Sequence, residues 1–131
     1  MNVEKILEQT KEDYTHKYTD PLERLEANSD KALKYAEKLF RVNRAKNKLR
    51  ILVDAKYSEL YKNAKYNSAF LCKSKQDAEA FIDTDEEYQK LKNQLTDLEN
   101  LSLLFDNLVN IYRQREATER LIFKAKTGVG E

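Results

Sequence analysis

Residues 83–112 read DTDEEYQKLKNQLTDLENLSLLFDNLVNIY, and the fold follows from how this stretch repeats. Asp83-Thr84-Asp85-Glu86-Glu87 contains two overlapping capping boxes, Asp83 to Glu86 and Thr84 to Glu87, in which side chains take up the unpaired N–H groups of a first helical turn. Tyr88, Leu91, Leu95, Leu98, Leu101, Phe105, Leu108 and Tyr112 then recur at steps of three and four, the spacing of an apolar helical stripe. Neither glycine nor proline interrupts the run before Gly128, where a C-terminal cap would sit. The spacing predicts one helix over about residues 85–126.

Upstream the same reading gives two more helices. Asn2 caps a short helix through about Thr15, with Val3, Ile6, Leu7, Thr10 and Tyr14 on one side. Asp20-Pro21-Leu22-Glu23 is a stronger start: a capping carboxylate, a proline at the first helical position and a glutamate in the first turn. From there a long basic helix reads as heptads, with Ala32, Leu39, Lys46, Val53 and Leu60 at one seam position and Tyr35, Val42, Leu49 and Lys56 at the other. Asn28-Ser29-Asp30 is read as a break or a restart, because these side chains compete for backbone hydrogen bonds. Asn67 to Lys75 has no 3.6 period and is read as a loop or one short strand near 68–72. The fold class is therefore mainly all-α. A short N-terminal helix, a long basic helix and a long C-terminal helix form a coiled-coil-like hairpin in one domain, residues 1–75 its basic part and 76–131 its acidic lead-in and C-terminal helix.

Length and composition agree. The chain has 131 residues, 36% charged, with 2 glycines and 1 proline. Phosphate-cradling loops and most β architectures need glycine where backbone turns or approaches a ligand, so both are poor fits. Cys72 is alone and cannot form an intrachain disulfide, and with His16 the only histidine the usual zinc ligand sets are missing. Asp83, Asp85, Glu86 and Glu87 are accounted for by capping and the helix dipole. No catalytic constellation, metal site or cofactor is expected, and neither is a membrane span or signal peptide; a soluble, cytoplasmic protein fits.

A predicted 42-residue helix covers roughly 63 Å, whereas a compact globule of this size has a diameter near 36 Å, about 2.6 times a radius of gyration of about 14 Å. Leu103, Leu104, Val109 and Ile111 lie off its main stripe, so a single hairpin partner leaves apolar surface over. The expectation is a homo-oligomer through Leu98, Leu101, Leu104, Phe105, Leu108, Ile111 and Tyr112; the alternative is a monomeric bundle in which Val3, Ile6, Leu7 and Tyr14 cover the second face.

The formal charge of +1 conceals segregation. Residues 1–30 sum to −4, 31–75 to +10, 76–110 to −7 and 111–131 to +2. Within a Debye length of about 8 Å the local block decides what a polyanion meets. Arg41, Arg44, Lys46, Lys48 and Arg50 fall within ten residues, followed by Lys56, Tyr57, Tyr61, Lys62, Lys65 and Tyr66. Cations neutralise phosphates and aromatic planes stack on bases, the combination that single-stranded nucleic acid requires. Equally, the cations can cover the seam and pair with residues 76–110 while the tyrosines fill the core.

The pattern resembles the UvsY-type recombination mediator proteins of tailed phages. Leu49 to Tyr61 is similar to the family's aliphatic and basic central run ending in aromatics. Asp83 to Leu91 followed by Leu95 to Ile111 resembles its acidic approach to a long C-terminal helix, and Arg115 to Gly128, with Ile122 and Phe123, its closing segment. The resemblance implies a protein without enzymatic activity that assembles into a ring and binds single-stranded DNA without sequence preference. It implies partners too: a RecA-like recombinase, loaded onto DNA covered by single-stranded-DNA-binding protein, in recombination, repair and replication, in the host cytosol if the chain is of phage origin. Arg50, Lys56, Tyr57 and Tyr61 match the DNA-contacting run; Arg41, Arg44, Lys46, Lys48, Lys62 and Lys65 are added by the charge reading. The competing reading is a coiled-coil scaffold, adaptor or chaperone that binds protein helices and no nucleic acid.

Overall fold

The computed structural model describes residues 2–15, 20–66 and 74–127. They form four helices in the order α1 (Val3–Thr15), α2 (Pro21–Tyr66), α3 (Lys75–Asp83) and α4 (Glu86–Thr127), with no strand among the described residues. The short strand expected near 68–72, the C-terminal cap at Gly128, and Cys72 and His16 lie outside the described residues.

The helix starts are built as capping chemistry requires. The Lys5 N–H donates to Asn2 Oδ1 at 3.2 Å, and the Leu22 N–H donates to Asp20 Oδ1 at 3.0 Å immediately after Pro21 begins α2. Asn28-Ser29-Asp30 does not break α2, which runs unbroken for 46 residues. Ser29 and Asp30 are exposed, so water satisfies their side chains and they do not compete for the helix ladder, while Ala32 and Tyr35 just beyond are buried and hold the helix down.

The approach to α4 holds one element that the sequence pattern left unassigned and one correction. Residues 75–83 are helical: Ser74 is the N-cap of α3, accepting from the Asp77 N–H at 3.1 Å. The cap of α4 is Asp85, not Asp83 or Thr84; its Oδ2 accepts from the Tyr88 N–H at 2.8 Å. Asp83 and Thr84 are used up in closing α3, where the Thr84 Oγ1 donates to the Phe81 carbonyl at 2.6 Å. The junction between α3 and α4 is thus two residues long.

The chain divides into two compact units that cut across both long helices: residues 1–42 with 101–131, and residues 43–100. In each, α2 and α4 pack as an antiparallel pair. In the first unit Arg24 meets Glu119 at 3.0 Å, and Tyr35, 0% exposed, stacks on Tyr112 with ring centroids 5.7 Å apart and lies 5.8 Å from Phe105. Ala32, Val42, Leu101, Leu108 and Val109 complete this core, with Thr10 of α1 also buried. In the second unit Val53 and Leu60 of α2, Ile82 of α3 and Tyr88 of α4 form the core, flanked by Leu49, Tyr57, Tyr61, Leu91 and Leu95. Of the heptad positions assigned to α2, Ala32, Tyr35, Val42, Val53 and Leu60 are buried and Leu39, Lys46, Leu49 and Lys56 partly covered; Ala64, off that pattern, is buried as well.

Candidate nucleic-acid interface

The second unit segregates charge by element. Its share of α2, residues 43–66, has seven basic and two acidic residues, whereas residues 75–100 have three basic and eight acidic. Opposite charges therefore sit on adjoining helices, and the question is how many of them pair. Among the described residues the ion pair joining α2 to α4 here is Lys56 to Glu87, Nζ to Oε2 at 3.0 Å; Glu59 lies 3.8 Å from the same ammonium. Arg44, Lys46, Lys48, Arg50, Lys62 and Lys65 are not neutralised in this way: among the described residues none has a carboxylate within ion-pair distance.

Helical geometry gathers several of these cations. At 3.6 residues per turn, Arg44, Lys48, Ile51, Leu52, Ala55, Lys62 and Tyr66 fall within an arc of about 100°, and all seven are exposed. Glu59 is the carboxylate on that arc, whereas Arg50, also exposed, lies about 100° beyond its edge, on the side of α2 that carries Tyr57 and Tyr61. Tyr66 is 83% exposed, Ile51 69% and Leu52 57%. The face is cationic with apolar and aromatic surface open to solvent, which suits phosphate contact together with base contact. Lys46 is half-buried at its seam position, Lys65 is half-buried off the seam, and Arg41 is exposed on the part of α2 that belongs to the first unit.

The matched run Lys56, Tyr57 and Tyr61 is placed differently. Tyr57 and Tyr61 stack on each other, centroids 6.2 Å apart and planes 18° from parallel, and Tyr57 also lies 6.1 Å from Tyr88. The Tyr57 hydroxyl donates to Glu79 Oε1 of α3 at 3.5 Å. All three residues are partly buried, so of the four matched residues Arg50 alone points freely to solvent. Sequence reasoning placed the tyrosines on one helix face correctly but missed what covers them, because no element was assigned to residues 76–82; Ser74 followed three residues later by Asp77 was the signal.

These contacts shift three titrations the same way. Lys56 is raised above its ordinary 10.5, first by hydrogen bonding to Glu87, against partial desolvation and with help from the charges of Glu59, Glu87 and Asp85. Tyr57 is raised above 10.0 by desolvation and then by Glu79, and Tyr88 by desolvation, then Asp83 and Asp54. A group that holds its proton more tightly when folded stabilises the fold below its unfolded pKa and loses that contribution as pH rises through the folded one. The second unit is therefore expected to lose stability above a pH of about 10. Tyrosinate absorbance should appear later in the native protein than in denaturant; coincident titration curves would contradict the packing described for Tyr57 and Tyr88.

The residues expected to form an oligomer interface are divided. Leu101, Phe105, Leu108 and Tyr112 are buried in the chain's own core, and Leu98, Leu104 and Ile111 are half-buried. The chain also buries Val109, leaving Leu103, 65% exposed, as the open apolar group of the second face. On α4 Leu103 and Leu121 are both exposed and share one angular position five turns apart.

Among the described residues no group of three or more His, Cys, Asp and Glu side chains could hold a metal ion, and no helix is long and apolar enough to cross a membrane. No family model, curated protein or solved structure matches the chain.

Proposed function

We propose that the protein is a non-enzymatic recombination mediator, which binds single-stranded DNA without sequence preference and helps a RecA-like recombinase load onto DNA covered by single-stranded-DNA-binding protein. The observation that supports DNA binding most directly is the exposed face of α2 bearing Arg44, Lys48 and Lys62 with Tyr66, with no carboxylate paired to any of these cations among the described residues. Its residues are spaced along one helix and present no shape that would read a base edge, which favours backbone contact with sequence-tolerant stacking. The recombinase step and cytosolic location rest on the family resemblance.

Self-association belongs to this proposal and is supported by the exposed Leu33, Phe40, Leu103 and Leu121 of the first unit. Repeating a modest cationic face in a ring would raise its avidity through effective concentration. The test is a recombinase-loading assay on DNA already covered by single-stranded-DNA-binding protein: added protein should shorten the lag before filament growth, and an unchanged lag would remove the mediator reading.

The exposed Ile51 and Leu52 favour a second reading, a scaffold that receives an amphipathic helix on α2. It requires binding to a protein partner and no affinity for an oligonucleotide at low salt.

A further inference from the structure

The paired tyrosines of α2 have the planar, near-parallel arrangement that would receive a base, yet an acidic helix lies over them. α3 brings Glu79 to the Tyr57 hydroxyl and Ile82 into the core cluster that Tyr57 and Tyr61 flank. With Asp77, Glu79 and Asp83 it places three carboxylates in nine residues beside the cationic helix. This is the charge, beside the same aromatic groups, that a phosphate backbone would bring.

The attachment of α3 is light. A nine-residue helix is too short to be stable alone in water, since isolated helices under about 12–15 residues are marginal. Its buried residues are Ala78 and Ile82, while Lys75, Gln76, Asp77, Ala80 and Asp83 are exposed. Its start depends on the single side-chain cap from Ser74. Segments with so little burial open at lower free energy than the core they rest on.

We propose that α3 is an acidic latch that competes with single-stranded nucleic acid for Tyr57 and Tyr61, an inference that rests on the DNA-binding role proposed above. With the latch seated, DNA meets the face around Arg44, Lys48 and Lys62 and the exposed Tyr66. With it displaced, the Tyr57–Tyr61 pair opens as a second aromatic surface on the other side of α2, where the exposed Arg50 shares its angular position, and three carboxylates leave its neighbourhood. Because a ligand shifts an equilibrium only through its preference between two states, DNA that prefers the open state must loosen α3, and loosening α3 must tighten DNA by the same factor.

The test uses the full chain, a labelled unstructured oligothymidylate and fluorescence anisotropy. Ser74→Ala weakens the latch without touching the tyrosines, and Glu79→Gln removes its charge while keeping its shape. Each should tighten binding, Ser74→Ala by up to about 5-fold, the factor by which losing an N-cap shifts a helix equilibrium. Tyr57→Leu added to Ser74→Ala should cancel the gain. In the unmodified chain, amide exchange over residues 77–83 should accelerate when the oligonucleotide is added. Binding by these variants when the unmodified chain shows none would support the latch most strongly. If the unmodified chain binds and both latch variants bind equally well, the latch is overturned and the DNA-binding role stands. Slower exchange of α3 with DNA also overturns it, because α3 would then belong to the bound state. If none of the three proteins binds at low salt, both proposals fall together.

Discussion

Tyr35→Ala is expected to lower stability by about 3–5 kcal/mol, the range for removing a fully buried aromatic ring. Tyr35 is 0% exposed and is held between two rings of α4, stacked on Tyr112 with planes 5° apart and tilted 31° against Phe105. Lys34 and Lys38 place their ammonium groups 5.4 and 5.6 Å from its centroid, and Lys31 and Arg115 each approach Tyr112 to 5.6 Å. Truncation therefore leaves a cavity and also removes one ring from a stack whose faces carry cations, a geometry worth about 0.5–1 kcal/mol per exposed pair. Neighbouring side chains on two regular helices have little freedom to collapse into the gap, which puts the expected loss at the upper half of the range. Tyr35→Phe keeps the ring and should stay within about 1.5 kcal/mol of the parent, the net size of an ordinary hydrogen bond. Urea denaturation of the three proteins checks this. Equal stability of Tyr35→Ala and the parent would mean that the α2–α4 pairing in the first unit is not as described.

On the DNA-binding role proposed above, replacing Arg44, Lys48, Arg50 and Lys62 together by alanine is expected to remove most single-stranded DNA affinity while leaving the helical content intact. Each phosphate contact on a single strand contributes about 0.7 to the slope of log K against log salt, so four lost contacts should flatten it by about 3. At 0.1 M salt that corresponds to an affinity loss on the order of several hundred-fold relative to 1 M, where the electrostatic part has gone. The four side chains are exposed, and exposed substitutions usually change stability by no more than about 0.5 kcal/mol each. Lys56→Ala should behave in the opposite sense. Its ammonium is tied to Glu87 and Glu59, so its removal should affect the second unit's stability more than the salt slope. Anisotropy titrations over a salt series, with circular dichroism on the same samples, separate the two effects. An unchanged slope in the fourfold variant would remove α2 as the proposed phosphate-binding helix.

Most of the fold could be read from local signals. Asn2, Asp20-Pro21 and the heptad positions from Ala32 to Leu60 set helix starts and faces through interactions within a few residues, and those are what sequence spacing reports. The failures share a different cause. Asp83 and Thr84 look like caps of α4 only when α3 is not recognised; once α3 ends there, the cap passes to Asp85. Asn28 to Asp30 look like a break only when local competition is weighed without the burial of Ala32 and Tyr35 against α4. The candidate site shows the same division. That Tyr57 and Tyr61 share a face is a helical repeat, but whether the face is open depends on Ile82 and Tyr88, which arrive from other helices. Exposure of Tyr66 and of Ile51 with Leu52 likewise depends on which side of α2 is covered, and the seam residues Leu49, Val53 and Leu60 identify that side. The half-burial of Lys46 and Lys56 follows from their seam positions and was foreseeable on the same grounds.

The hydrogen bond from Tyr57 to Glu79 spans 22 residues of chain, whereas that from Arg24 to Glu119 spans 95. Closing the longer loop first would cost about 1.3 kcal/mol more entropy, slightly over two doublings of length at about 0.6 kcal/mol each. The economical route is for the hairpin to begin at its tip and zip outward, so that each new turn of α2 and α4 finds its partner already near. During synthesis residues 43–100 can pair before the ribosome has released α4, while Tyr35 waits for Phe105 and Tyr112 to emerge. The stretch most exposed to wrong partners in a nascent chain is then the apolar stripe of residues 32–42, and the lysines at 34 and 38 that flank Tyr35 are well placed to keep it dissolved until the chain is complete.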